Sequence, residues 1–144
     1  MADERYNRWQ GLAIGQLSVA LALISATSIA GLGAGLSLLK DQEFMLPAGC
    51  WRYVFGVSQL LLVAAIFFST AAVITRTLDF RLTARKVRND KDPSYDKSLV
   101  MFGGDKDAYG RWTWRCFWLS CIFFALGMIF LVASSIVRFA DKLH

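Results

Sequence analysis

Two Asp-Lys-Asp triplets, Asp90 with Asp92 and Asp105 with Asp107, form the densest group of oxygen ligands in this sequence. Carboxylates so close together suggest a hard divalent cation. Each pair, however, has a lysine between its acids, and neither has the spacing or the closing glutamate of a calcium loop. No metal site is expected. The three cysteines, Cys50, Cys116 and Cys121, contain no CxxC and have no histidine cluster beside them, which excludes a zinc motif; they read as small apolar packing residues. Hydrolysis lacks its parts as well. The single histidine is His144, no GxSxG occurs, and the serines lie mainly in apolar segments with no base nearby. The chain is therefore expected not to be an enzyme and to need no cofactor.

The remaining polar candidates are amides and cations. Gln16 and Gln59 fall inside apolar runs, where an amide bonds between helices or lines a wet passage. Arg76, Arg81, Arg85, Lys86 and Arg88 follow one apolar run directly and suit anionic lipid heads or a docking partner.

The elements that carry these residues are set by charge. Between Arg8 and Lys40 no residue is ionisable, so Trp9 to Leu39 is a 31-residue apolar stretch. As a helix it measures roughly 46 Å, more than a hydrocarbon core of about 30 Å, so it must tilt, project, or fray near Gly31, Gly33 and Gly35. It is too long for the apolar region of a signal peptide, and no small-residue cleavage site follows it; it reads as a retained helix. Tyr53 to Thr75 and Cys116 to Val137 are the second and third charge-free runs. The fold class expected is all-α: one membrane domain, 1–144, with spans near 11–39, 53–75 and 116–137. The connection 76–115 is cytoplasmic and opens with a helical extension of the second span, in which Leu78, Leu82 and Arg85 keep helical spacing. Pro47 marks a hairpin turn that makes the first two spans antiparallel neighbours. Residues 89–110, with Asp-Pro and Gly-Gly, read as turns and loop.

Composition agrees. The chain is 56% hydrophobic and 19% charged, against about 25% charged in soluble domains. Its net charge of +5 does not point to nucleic acid, because the basic residues flank the spans. Twelve of the 16 lysines and arginines fall on the side of the N-terminus and the 76–115 connection, four on the other. Positive residues are retained inside, so the N-terminus is expected in the cytoplasm and the C-terminus outside. Trp9, Trp51, Tyr53, Trp112, Trp114 and Trp118 stand where interfaces should fall.

The first span carries one further pattern. Gly11, Gly15, Ser18, Ala22, Ala26, Ala30, Gly33 and Ser37 cover 26 residues in seven steps. The mean step of about 3.7 is close to the helix repeat of 3.6, so these small residues share one face. Small faces let helices approach closely in lipid. The neighbour is either another span of the same chain or a second chain.

The Arg8-Trp9-Gln10 entry, the stretch DFRLTARKVR from Asp79 to Arg88, and Thr113-Trp114-Arg115 resemble small bacterial multi-pass membrane proteins of unknown function. That resemblance implies a bacterial inner membrane and no particular activity. The function expected is a non-enzymatic membrane protein that assembles with itself or a membrane protein partner through the small face, with anionic lipid around it. One alternative is an oligomeric pore or membrane-perturbing effector in bacterial stress or phage defence. Another is a membrane subunit of an enzyme or transport complex. Charge-free spans offer no ion site or counter-ion, which argues against a coupled transporter.

Overall fold

The computed structural model describes residues 2–40, 50–89 and 106–140, with side chains described over 15–40, 50–81, 108–138 and at 140. It holds three α-helices: α1, Ala2–Lys40; α2, Cys50–Asn89; and α3, Lys106–Ala140. Each contains a segment long and apolar enough to cross a membrane, Gly15–Lys40, Cys50–Arg81 and Ala108–Arg138. In hydrocarbon every backbone N–H and C=O must be satisfied within the segment, which a helix does and an isolated extended chain does not. Both prolines, Pro47 and Pro93, stand in sequence between helices, so no helix loses an internal hydrogen bond to one.

The helices alternate in direction. Gly31 of α1 meets Leu62 of α2 while Ser25 meets Ser69, so that pair is antiparallel. Gly127 of α3 meets Leu62, Ser120 bonds to Ala65, and Thr113 meets Thr75, so α2 and α3 are antiparallel as well. The interface of α2 with α3 is the largest; α1 lies mainly on α2 and touches α3 least.

The buried positions of α2 are Phe55, Ser58, Leu62, Ala65, Ser69 and Ala72. Their alternating steps of three and four keep one stripe facing its neighbours, as in left-handed coiled packing. Two apolar layers result. Phe55, Leu62 and Leu131, with Leu32, Phe124 and Met128 against them, fill one end. Leu21, Ala72 and Cys116, with Leu17, Phe68, Ala71 and Phe117, fill the other. Phe68 stacks on Phe123 across the α2–α3 interface with ring centroids 5.4 Å apart. Large apolar side chains such as Leu23, Leu60, Phe67 and Ile129 face outward, as a lipid-facing surface requires.

Of the three outcomes open to the overlong first helix, fraying at its glycines is not the one taken: it runs unbroken to Lys40. Gly31 and Gly35 are buried, so packing shields their backbone and outweighs the low helix propensity of glycine. The loop expected to reach Gly110 ends earlier, since α3 begins at Lys106. Thr113 in its second turn is held on α2 through the Thr75 hydroxyl at 3.0 Å, a tertiary contact that local turn signals do not reveal. The second helix does continue past the apolar run, to Asn89. Pro47, and with it the hairpin turn, lies outside the described residues.

Candidate functional site: two faces of the first helix

Helix α1 has two faces of different character. The inward one carries Leu21, Ser28, Gly31 and Gly35, all buried, with Leu17, Ser25, Leu32 and Leu38 half-buried beside them. The small-residue stripe is elsewhere. At 100° per residue its centre lies roughly 150° around the helix from the inward face. Gly15, Ser18, Ala22, Ala26, Ala30, Gly33 and Ser37 are all exposed. A Cβ added at Gly15 or Gly33 would meet nothing within 4 Å. Gly11 lies in α1, but its side-chain surroundings are outside the described residues. Neither α2 nor α3 of the same chain covers the described members of the stripe.

The inward face is fastened by hydroxyls and glycines that the small-stripe pattern does not include. Ser69 donates to the Leu21 carbonyl at 3.0 Å, and the Ser25 hydroxyl donates to Ser69 at 2.8 Å. Between α2 and α3, Ser120 donates to the Ala65 carbonyl at 2.9 Å. Ser28, Ser58, Ser69, Ser120 and Ser134 are all fully or almost fully buried. Serine suits such a seam because it is small, and its hydroxyl finds a carbonyl on its own or the neighbouring helix. The three-four spacing of Ser58, Leu62, Ala65, Ser69 and Ala72 is the sequence signal that marks it.

Two glycines stand at close contacts. A Cβ at Gly35 would run into the Gln59 amide. A Cβ at Gly127 would sit 3.0 Å from Cγ and Cδ2 of Leu62 and 3.3 Å from Cβ of Leu61, closer than ordinary packing allows.

The two glutamines are not brought together. Gln59 lies level with Gly35, and Gln16 is 19 residues from there along α1, roughly 28 Å at 1.5 Å per residue. Gln16 is exposed. Gln59 is half-buried; its Nε2 lies 3.4 Å from the Ser58 hydroxyl on the same helix, and its Oε1 is buried without a partner.

The basic segment divides as well. Arg81 is exposed, whereas Arg76 is half-buried and continues the α2 seam one step beyond Ala72. Its guanidinium lies over the Phe80 ring, 5.6 Å from the centroid, and is attracted by Asp79 one turn on. Arg85, Lys86 and Arg88 lie in α2 with side chains outside the described residues. Arg76 and Asp79 fall within the apolar segment Cys50–Arg81, so the charge-free run ending at Thr75 is shorter than the membrane-length helix.

Among the described residues no group of His, Cys, Asp or Glu could hold a metal ion. Asp90, Asp92 and Asp105 lie outside them, as does His144, and the side chain of Asp107 is likewise not described. Cys50 is exposed, Cys121 half-buried and Cys116 buried, all as free thiols. A groove of about 340 Å³ opens between α1 and α3, lined by Ala34, Leu38, Leu131, Val132, Ser135, Ile136 and Ala140. Its one hydroxyl, on Ser135, donates to the Leu131 carbonyl at 2.9 Å.

No family model, curated protein or solved structure matches the chain.

Proposed function

We infer that this chain is a non-enzymatic integral membrane protein of a bacterial inner membrane that assembles through the small-residue face of α1. The observation that carries this reading is the exposure of every described member of the stripe, on the side of α1 turned away from α2 and α3. Small side chains exposed in lipid leave a shallow groove that a partner helix fills at close range, gaining van der Waals contact that lipid tails match less well. A second copy of the same chain is the simplest partner, since most soluble oligomers and many membrane helix pairs use one self-complementary face. The basic segment at the end of α2, Arg81 to Arg88, serves as the cytoplasmic docking surface, with the N-terminus inside and the C-terminus outside.

A passage within one chain is disfavoured by the same geometry. Leu62, Ala65 and Leu131 fill the seam; Gln59 is half-buried and Gln16 is exposed on α1, so no shared polar lining is formed by them.

The test is cysteine cross-linking in native membranes, in a Cys50→Ser background. Ala26→Cys, on the stripe, is expected to give a strong dimer band, and Phe67→Cys, on an exposed face of α2, is not. Equal bands from both positions, or none from Ala26→Cys, would contradict the reading. Ion flux from liposomes carrying the cross-linked form would support the pore alternative instead.

A further inference from the structure

Arg76 is set apart from the other basic residues. Arg81 points to the outside of α2, whereas Arg76 occupies the next position of the buried stripe Phe55, Ser58, Leu62, Ala65, Ser69, Ala72. Its Nη1 is buried and has no hydrogen-bond partner. A buried donor without an acceptor is uncommon in folded proteins, and a charged one more so. Phe80 covers the guanidinium from one side, and Asp79 supplies an opposing charge. Arg76 as a whole is only half-buried, and arginine takes an oxyanion through a forked pair of N–H groups.

The register of the bundle gives the level at which Arg76 stands. The 3.0 Å contact between the Thr75 and Thr113 hydroxyls places residue 76 level with residue 112 of the antiparallel α3. Trp112 and Trp114 there are exposed, 55% and 56%. Tryptophans at the end of a membrane-length helix mark the headgroup layer. From that level to Tyr53, exposed near the start of α2, is 23 residues, roughly 35 Å, close to the thickness of a hydrocarbon core plus its edges. That register puts Arg76, on the buried stripe of α2, at the level where lipid phosphates would lie.

We propose that the Arg76 end of the three-helix seam is a specific phospholipid site, in which the Arg76 guanidinium takes the headgroup phosphate of an anionic lipid entering between the helices. The site is independent of assembly through α1, because Arg76 lies on the α2 seam and the stripe faces away from it.

The experiment is native mass spectrometry of the full chain released from nanodiscs of phosphatidylglycerol and phosphatidylcholine in equal amounts with matched acyl chains. The wild type is expected to retain phosphatidylglycerol adducts preferentially. Arg76→Gln should lose at least fivefold of that preference, and Arg81→Gln less than twofold. Arg76→Lys, which keeps the charge without the fork, should fall between them, and it decides the matter if Arg76→Gln does not fold. Equal losses in Arg76→Gln and Arg81→Gln would reduce the effect to general surface charge and overturn the proposal. So would an unchanged preference in both Arg76 variants. Competition by millimolar inorganic phosphate would assign the site to a soluble phosphate, again against the lipid.

Discussion

The amide of Gln59 fills the space over Gly35, so a side chain placed there must displace the end of the Gln59 side chain. Gly35→Leu should therefore lower the thermal midpoint in detergent, at a cost of about 1–3 kcal/mol for overpacking. Gln59→Ala in the same chain should recover a large part of that loss, which a double-mutant cycle measures. The serines separate into two kinds. Ser69 joins Ser25 and the Leu21 carbonyl, so Ser69→Ala should cost about 0.6 kcal/mol, typical of a hydrogen bond between membrane helices. Ser28 is as deeply buried but its hydroxyl has no partner, so Ser28→Ala should be neutral or stabilising. Chemical denaturation of the two variants side by side checks the contrast.

At the scale of the element, the existence of three helices was legible in the charge-free runs, since a segment of that length without an ionisable group has few uses outside lipid. Which face of each helix is buried was much less so. In water the polar side of a helix declares itself, but here both sides are apolar, and Leu23 and Leu21 differ in environment though not in type. The small stripe of α1 stood out because its members are alike. The inward face mixes Leu21, Ser28, Gly31 and Gly35, which only the partner residues Ser69, Leu62 and Gln59 unite. The limit of α3 was hidden for a related reason: Thr113, seven residues into that helix, meets Thr75, 38 residues away, beyond the reach of local turn chemistry. The difference between the faces has a measurable consequence. Leucine substitutions at Gly15 and Ala22 should leave the packing within the chain intact, because both positions are open, and move the thermal midpoint only through lost assembly, whereas Gly31→Leu should destabilise the bundle itself through Leu62. Circular dichroism melts of the two variants distinguish them.

For the whole molecule, α2 and α3 form the tighter pair and α1 the looser one. Local opening should begin where packing is thinnest, so amides of α1 are expected to exchange before those of α2 and α3 in deuterated buffer and detergent. The looseness suits the proposed packing of its outer side on another chain. Orientation is a separate expectation of the whole chain, from the twelve-to-four division of its lysines and arginines. A membrane-impermeant thiol reagent added outside intact cells should label Cys50, exposed at the start of α2. Protection of Cys50 there, with labelling only after permeabilisation, would reverse the proposed topology. The most direct test of assembly through α1 is a subunit count in native-lipid nanodiscs, by mass photometry, for the wild type and for Gly15→Leu with Ala22→Leu. The account predicts an oligomer for the wild type and a folded monomer for the double variant; a monomeric wild type, or an oligomer that survives both leucines, would contradict it.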